Sequence, residues 1–405
     1  MHTITFEPTL DHAPKALATD LIETVLHASD PAHAFKKHFD PTTINAKTHI
    51  LAMGKASIAM TNAAIECLGG QFARATVVST PELVAQAQFK NKFVELCIGD
   101  HPLPTHRSVN AANTIIEHAR SIPSDQQALV LLSGGASALV CSPKPSTTLE
   151  HIVETTNTLL QSGAPIQEIN AARAQHDTLK AGGLAEILEQ AAYMETYTLS
   201  DVIGDDLSII ASAPTFRAIP SPHTIIASNQ AALNALCAWA AHQHITIAHL
   251  NRSALGSAAD EGRKLAKQLM NLPADSASPI AVCLGGEPTV DASNTTGTGG
   301  PMLELALACA LELAQPSTPQ LDDQSPKSWI VFTLATDGRD GPTNAAGAII
   351  TSTMLSTPES IAQAQQALTE HNTLPACDAI GATLRTGHTG TNVNDIAIAI
   401  RYPSG

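Results

Sequence analysis

The chain alternates short apolar runs with longer segments of helical hydrophobic spacing, and this alternation constrains its fold more than any other feature. Ten runs of four to six residues, rich in aliphatic side chains, have the length of buried strands and occupy residues 49–53, 76–79, 93–98, 128–132, 195–199, 224–227, 245–250, 280–284, 330–335 and 396–400. Helical spacing occurs at residues 56–68, 108–120, 148–161, 166–188, 302–313 and 359–368, with a break expected at Gly182 and Gly183. This pattern predicts an α/β protein with largely parallel sheets.

Length and loop composition indicate how many domains the chain forms. Its 405 residues correspond to about two or three domains of roughly 150 residues each. Residues 271–278 and 316–327 are rich in Pro, Ser and Asp, as linkers and surface loops are. We expect an N-terminal domain over residues 1–245 and a smaller C-terminal α/β domain over residues 246–405, although residues 245–270 fit either one.

Charge and cysteine content narrow the classes of partner. The chain has 22 Lys and Arg against 37 Asp and Glu, a formal net charge of −15, which does not suit binding to nucleic acid or to an anionic membrane. No two of the seven cysteines lie within 20 residues of each other, so no zinc-binding spacing is present. No apolar stretch approaches the ~18 residues of a membrane span, and the first residues lack a signal-peptide pattern. We therefore expect a cytoplasmic protein.

Two predicted strands are followed by glycine-containing loops that could bind an anion. Residues 128–132 lead into Ser133, Gly134, Gly135, Ala136 and Ser137, where glycines permit a tight turn and backbone N–H groups can receive a carboxylate or phosphate. Residues 49–53 lead into Gly54 and Lys55, without the spacing of a Walker A loop. The alternatives are an ordinary turn and a surface lysine.

Acidic segments follow other predicted strands. Asp100 and His101 come after residues 93–98 and could accept a proton or hold a metal, or could form a rigid turn with the prolines that follow. Asp201, Asp205 and Asp206 come after residues 195–199, and Asp337 and Asp340 follow residues 330–335 directly. Carboxylates at strand ends are often Mg²⁺ ligands, although acid clusters are also common on the surface of an acidic protein.

Further glycine-rich and polar loops lie in the last third of the chain. Gly285, Gly286 and Glu287 end one predicted strand, and residues 297–300 precede a predicted helix. The second segment fails the GxGxxG dinucleotide pattern because position 302 is Met, so it is either a loop over a nucleotide or a flexible hairpin. Residues 386–395 are almost free of apolar side chains, which favours a site over a spacer.

Six of these segments occur in an order that resembles the D-glycerate 2-kinase family, whose bacterial members are often called hydroxypyruvate reductases. They comprise residues 54–56, 99–102, 132–138, 199–206, 336–343 and 387–395, and the resemblance covers nearly the whole chain. It implies an N-terminal Rossmann-like parallel sheet flanked by helices and a C-terminal MOFRL-type domain. It also implies ATP- and Mg²⁺-dependent phosphorylation of D-glycerate at its 2-hydroxyl, giving 2-phosphoglycerate.

The resemblance, together with the strand-end chemistry, suggests a role for each candidate residue. Lys55 corresponds to the family's essential lysine, and Asp205 and Asp337 are the acids expected to act with it. Substrate contacts are expected from Ser133, Gly134, Gly135, Ser137, Asp100 and Arg173. Nucleotide contacts are expected from Gly285, Gly286, Glu287, Gly299, Gly300, Thr389, Asn392 and Asn394. Mg²⁺ is expected to be held by Asp201, Asp205 and Asp337.

The chain departs from the family pattern at three places. It has Arg173, Ala174 and Gln175 where the family has Arg-Lys-His, and Ala213 where the family has a glycine. It has Pro301, Met302 and Leu303 where the family has Arg-Asn-Gln, a change that removes side-chain donors to phosphate or base and predicts weaker nucleotide binding.

Two other functions remain open from the sequence. One is the reduction of hydroxypyruvate by a nicotinamide cofactor, although the dinucleotide fingerprint is missing. The other is a weakened paralogue that only binds a sugar acid. The expected partners are D-glycerate and ATP, without nucleic acid or membrane, and formation of a homodimer is left open.

Overall fold

The computed structural model describes residues 5–6, 12–89, 91–162, 166–217, 222–273, 276–291, 296–315 and 328–403. The predicted loop at residues 316–327 lies outside this part of the chain. By its internal contacts the chain divides into two compact units. We call residues Asp30–Ser228 the parallel unit, and Met1–Ser29 with Asn229–Gly405 the mixed unit.

The described residues form strands and α-helices in alternation. In chain order the strands are β1 (Thr5–Phe6), β2 (Thr48–Met53), β3 (Phe72–Ser79), β4 (Val94–Ile98), β5 (Gln127–Leu132), β6 (Tyr193–Leu199), β7 (His223–Ala227), β8 (Thr246–Ala254), β9 (Ile280–Gly286), β10 (Trp329–Ala335), β11 (Gly347–Thr351), β12 (Thr383–Arg385) and β13 (Asp395–Arg401). The helices are α1 (His12–Ser29), α2 (Pro31–His38), α3 (Ser57–Leu68), α4 (Pro81–Gln86), α5 (His106–Ser121), α6 (Ala136–Leu139), α7 (Leu149–Gln161), α8 (Ile166–His176), α9 (Gly183–Ile187), α10 (Asn229–His242), α11 (Ala258–Met270), α12 (Pro301–Ala314), α13 (Pro358–Thr369) and α14 (Thr373–Ala379). The α/β class predicted from the sequence is confirmed.

The parallel unit contains a six-stranded sheet with the order β4-β3-β2-β5-β6-β7, in which every neighbouring pair is parallel. Strands β2 and β5 are buried along their whole length, which explains why they appear in the sequence as unbroken apolar runs. The chain leaves β2 toward β3 and β4, then returns to β5 and continues to β6 and β7. The direction of winding therefore changes between β2 and β5, where α/β proteins usually bind ligands at the carboxyl edge.

The mixed unit contains a seven-stranded sheet with the order β1-β12-β11-β10-β13-β9-β8, in which only β8 and β9 are parallel. The expectation of largely parallel strands is wrong for this unit. Residues 336–346, which join β10 to β11, are too few for the crossover of about a dozen or more residues that parallel strands need. Helix α12 is buried from Met302 to Leu311, in agreement with its apolar composition on every side.

The compact units do not divide at the domain boundary expected at residue 245. Helix α10 packs against α1 and β8, so the contact boundary falls between Ser228 and Asn229, and the N-terminal helix joins the mixed unit. Helix α10 was not predicted, because its alanine-rich sequence lacks clear amphipathic spacing. The predicted helix over residues 166–188 is also interrupted earlier than expected, since α8 ends at His176 and α9 begins at Gly183. Across the described residues, no helix combines the length and apolar character that a membrane crossing requires.

Candidate active site

The loops that follow β2 and β5 are joined at the point where the winding of the parallel sheet changes direction. The backbone N–H of Lys55 donates to the carbonyl oxygen of Gly134 at 2.9 Å, and that of Ala56 donates to Oγ of Ser133 at 3.0 Å. Gly54 has a φ of +124°, and a Cβ there would collide with Ser133. These contacts fix the two loops against each other, and they use the Ser133 hydroxyl for structure.

The side chains of Lys55 and His101 flank Gly135. A Cβ built at Gly135 would lie 3.6 Å from Cγ of Lys55 and 3.1 Å from Cδ2 of His101. Lys55 is exposed, and the described residues offer it no ion-pair partner. Desolvation by the surrounding protein, then the charges of Lys55 and Arg173, lower the pKa of His101 to about 4, although part of that residue is accessible to solvent. Two cations therefore act on one imidazole at this edge of the sheet.

Asp201 approaches the same loop from the end of β6. A Cβ at Gly134 would collide with the carboxylate of Asp201, so only glycine allows this approach. Burial raises the pKa of Asp201, and the nearby Lys55 opposes that rise. Among the described residues, no acceptor is found for the backbone N–H groups of Gly134 and Gly135. The arrangement offers two backbone donors and an ammonium group to an anion.

A buried lysine that sequence reasoning missed holds the segment after Gly135. Lys180 donates from Nζ to the carbonyl oxygens of Ser137 at 2.9 Å and Val140 at 2.7 Å. Its counterion is Asp177 at 3.9 Å, and both side chains are almost completely buried. Lys180 lies in the turn between α8 and α9. The sequence predicted a helix there, and a single lysine within it did not indicate this role.

Ser137 is held on its other side by a chain of hydroxyl contacts. Its Oγ lies 2.8 Å from Oγ of Ser212, which in turn donates to Oδ1 of Asn170 at 2.9 Å. Ala211, Ser212 and Ala213 all have left-handed backbone angles, with φ between 54° and 59°. This backbone conformation is costly for residues other than glycine, and it brings Ser212 to Ser137.

The other predicted acids of the parallel unit have different surroundings. Asp100 is bound by Arg107, through Nε at 2.8 Å and a second short contact, and by the Thr105 hydroxyl. The Arg107 guanidinium holds the pKa of Asp100 below its usual range, so this carboxylate anchors the start of α5. Asp205 lies in the loop after β6 with a φ of 55°.

In the mixed unit, the predicted acids meet where β10, β13 and β9 share one edge. Asp395 is paired in register with Ala335 on one side and with Gly286 on the other. Burial, followed by the charges of Asp340, Glu287 and Asp337, raises the pKa of Asp395 well above its usual value. In the sequence Asp395 is only the last residue of a polar segment, because the pairing of β13 with β10 on one side and β9 on the other is not visible there.

Asp340 caps the N-terminus of the buried helix α12. Its two carboxylate oxygens accept the N–H groups of Met302 and Leu303, both at 2.8 Å. Burial raises its pKa to about 6, against the opposing effect of those two donors. Met302 and Leu303 have side chains within the core, so two of the three residues that stand where the family has Arg-Asn-Gln are packing residues.

The glycines predicted to contact a nucleotide are closely packed against protein. A Cβ at Gly299 would collide with Thr373, and one at Gly300 would collide with Asp340. The backbone of Thr298 is also hydrogen-bonded on both sides, to Asn372 and Leu374. These contacts favour an ordered segment over the flexible hairpin considered from the sequence. Its predicted nucleotide contacts remain predictions.

The remaining predicted nucleotide residues stabilise the same edge of the mixed sheet. Gly285 and Gly286 end β9, where added Cβ atoms would collide with Asn229 and Ala254. Asn394, with a φ of 61°, donates from Nδ2 to Glu287 at 3.3 Å. The Thr389 hydroxyl joins the loop before β13 to the residue after β10, because its Oγ1 donates to the carbonyl oxygen of Thr336. Within that loop, the Asn394 N–H donates to Oδ1 of Asn392.

The predicted metal ligands are divided between the two compact units. Asp201 and Asp205 belong to the parallel unit and Asp337 to the mixed unit. Over the ranges that the structure describes, no group of three His, Cys, Asp or Glu side chains is arranged to hold a metal ion. Within either unit, one or two of these carboxylates would still fit Mg²⁺ bound with a nucleotide, because that ion commonly takes one or two carboxylates and completes its shell with phosphate oxygens and water.

Known proteins with similar sequences and structures identify the family. Residues 17–246 match the domain of unknown function DUF4147, and residues 280–395 match the MOFRL family. A glycerate kinase of Mus musculus is 30% identical, over 92% of this chain and 88% of its own. A putative hydroxypyruvate reductase of Agrobacterium vitis is 32% identical, over 86% of this chain and 97% of its own.

A solved structure extends this similarity to the whole fold. The crystal structure of a glycerate kinase from Thermotoga maritima superimposes with a TM-score of 0.84 at 28% identity, covering 96% of this chain and all of that one. The order of the six segments, the two domain matches and this fold agree with one another. The chain belongs to the D-glycerate 2-kinase family, in which a DUF4147 domain is followed by a MOFRL domain.

Proposed function

We propose that this protein is a kinase that transfers the γ-phosphoryl group of ATP to the 2-hydroxyl of D-glycerate, giving 2-phosphoglycerate. The observation that carries the proposal is the position of Lys55 beside Gly135, next to two backbone N–H groups without acceptors in the described chain. In a chain of net charge −15, an exposed lysine without a counterion is suited to an anionic substrate. The glycerate kinases among the relatives support the choice of substrate.

In the proposed reaction, the parallel unit supplies the groups that bind glycerate. Lys55 and the N–H groups of Gly134 and Gly135 receive the negative charge of the substrate, and Arg173 adds a second cation near His101. Groups fixed before the reaction stabilise the transition state more than groups that must reorganise. The hydrogen bonds that lock the two loops together would serve this purpose.

ATP is assigned to the mixed unit, around the glycines and polar residues predicted above. Mg²⁺, held by Asp201, Asp205 or Asp337, would neutralise charge on the phosphate oxygens during transfer. A Mg²⁺ requirement and a cytoplasmic location are parts of this proposal. Each of them, and the formation of a homodimer, can be measured separately.

The decisive experiment is a coupled assay of ADP release with ATP, Mg²⁺ and D-glycerate, with L-glycerate as the control substrate. Coupling the product to enolase, which accepts 2-phosphoglycerate, distinguishes transfer to the 2-hydroxyl from transfer to the 3-hydroxyl. NADH consumption with hydroxypyruvate in the absence of ATP tests the reductase named among the relatives. Binding of glycerate without turnover would instead support the weakened paralogue.

Lys55→Met tests the central residue, because methionine keeps much of the side-chain volume and removes the charge. We expect kcat/KM to fall by roughly 10²-fold or more, since a charge-assisted contact to the reacting group is lost. Lys37→Met, on the exposed end of α2, is the matched control and should leave activity unchanged. A Lys55→Met protein within about twofold of wild type would contradict the assignment.

A further inference from the structure

The proposed reaction removes a proton from a substrate hydroxyl, and the predicted acids do not account for the group that accepts it. Asp100 is committed to Arg107 and Thr105. Among the described residues, the Asp205 carboxylate forms no hydrogen bond or ion pair with the loops that carry Lys55 and Gly135, and Asp337 belongs to the mixed unit. Asp201, beside Gly134, is the one acid of that set in contact with those loops.

His101 occupies a position that suits proton transfer. Its ring lies against Gly135 on the side shared with Lys55, as the 3.1 Å and 3.6 Å separations from a Cβ at that glycine show. Within the described chain its ring nitrogens form no hydrogen bond or ion pair, so both are available to a ligand. The ring therefore adjoins the loop to which the substrate is assigned.

We propose that His101 is the catalytic base, an inference that rests on the function proposed above. A ring nitrogen of His101 accepts the proton of the 2-hydroxyl as that oxygen forms its bond to the γ-phosphorus of ATP. The bond between the γ-phosphorus and the β–γ bridging oxygen breaks, and ADP leaves. The imidazolium then loses its proton to solvent, to which His101 is accessible.

The charges around His101 favour this role and add a dependence on substrate. With a pKa of about 4 in the free protein, the imidazole is neutral near pH 7 and can accept a proton. The charged groups facing it are Lys55 after β2 and Arg173 on α8, and the paired Asp100 and Arg107 lie beside it in the chain. When an anionic substrate pairs with Lys55 and Arg173, their repulsion of a proton on His101 weakens, so its pKa rises and it becomes a stronger base.

The test uses His101→Ala in the full chain, with exogenous imidazole as a replacement base. We expect kcat to fall by at least about 10²-fold and KM for D-glycerate to change by less than about threefold. Added imidazole should raise the kcat of the variant by at least about tenfold. His106→Ala is the matched control, because His106 is exposed on α5 and should leave activity unchanged. In wild type, the acid limb of kcat/KM should lie near the pKa of free His101, and that of kcat should lie higher.

Each outcome separates this inference from the proposed function. A wild type that releases ADP while His101→Ala retains kcat within about threefold overturns the inference and leaves the kinase intact. A large loss that imidazole does not restore, with an unchanged acid limb, also overturns it and assigns a structural role to His101. If Asp201→Asn strongly lowers turnover and its residual activity shows a moved acid limb, while His101→Ala does neither, Asp201 is the base. A wild type that releases no ADP with D-glycerate overturns the proposed function and this inference with it.

Discussion

The buried ammonium group of Lys180 provides the sharpest test of how the loop after β5 is held in place. It donates to two carbonyl oxygens at 2.7 and 2.9 Å, and its counterion Asp177 lies 3.9 Å away. Asp177 also accepts the N–H groups of Ser142 at 3.0 Å and Leu179 at 2.8 Å. Lys180→Met preserves most of the volume, removes both hydrogen bonds and leaves the carboxylate buried without its cation.

The loss of stability expected for Lys180→Met follows from the unpaired carboxylate of Asp177. Removing one partner of a buried ion pair typically destabilises a protein by about 3–5 kcal/mol, and the two N–H donors that remain on Asp177 favour the lower end of this range. Lys144→Met is the matched control: Nζ of Lys144 donates to one carbonyl, that of Ala174 at 2.9 Å, and its loss should cost about 1 kcal/mol.

A double-mutant cycle separates the ion pair from simple loss of packing. In the double variant with Lys180→Met and Asp177→Asn, no buried charge is left unpaired. Its free energy of unfolding should therefore be about 1–3 kcal/mol higher than the value expected from adding the two single losses. The assay is urea unfolding of the wild type, the two single variants of the ion pair, their double variant and the Lys144→Met control, with the m-value checked for constancy. The reasoning is refuted if Lys180→Met costs no more than Lys144→Met, or if the two substitutions are additive.

Three further predictions concern stability and metal dependence. Burial lowers the pKa of His49, and it lowers that of His118 to about 3, so the unfolded chain binds more protons than the folded chain below pH ~6.5. The free energy of unfolding, measured with urea, should therefore fall as the pH falls from there. In His118→Asn this fall should be smaller than in wild type, by up to about 1.4 kcal/mol per pH unit. Ala213→Gly should raise stability by about 0.5–1 kcal/mol because its φ is 55°, whereas Ala63→Gly within α3 should lower it by about 1 kcal/mol, and thermal unfolding that gives both the same sign would contradict this. Excess EDTA should abolish ADP release, added Mg²⁺ should restore it, and undiminished turnover in EDTA would exclude a metal requirement.

The sequence predicted the candidate loops well, for a geometric reason. In a parallel sheet the carboxyl ends of the strands share one edge, so polar and glycine-rich segments that follow apolar runs converge there. Lys55, Gly134, His101 and Asp201 were all selected by that rule, and the structure brings them together. The family resemblance supplied a reaction for this group, and sequence spacing alone did not.

Other features depend on information that local pattern does not contain. The adjacency of β2 and β5 is a property of strand order, since 73 residues separate Met53 from the start of β5 at Gln127. The antiparallel pairing in the mixed unit places Asp395 between two strands, which an apolar run with a preceding polar segment does not specify. The role of Lys180 is also not visible in the sequence, because it depends on burial and a lysine is ordinarily expected at the surface.

Charge is distributed unevenly between the two units, and this bears on how a polyanion could bind. Residues 30–228 contain 13 Lys and Arg against 18 Asp and Glu, a net charge of −5, whereas the rest of the chain contains 9 against 19, a net charge of −10. The unit to which ATP is assigned is thus the more acidic, and burial together with the charges of Asp340, Glu287 and Asp337 already raises the pKa of Asp395 there. An ATP molecule bound in that unit would need its own counter-charge, which Mg²⁺ provides. The smaller glycerate anion proposed for the parallel unit carries a single negative charge, for which Lys55, Arg173 and the two backbone donors offer the complementary charge there.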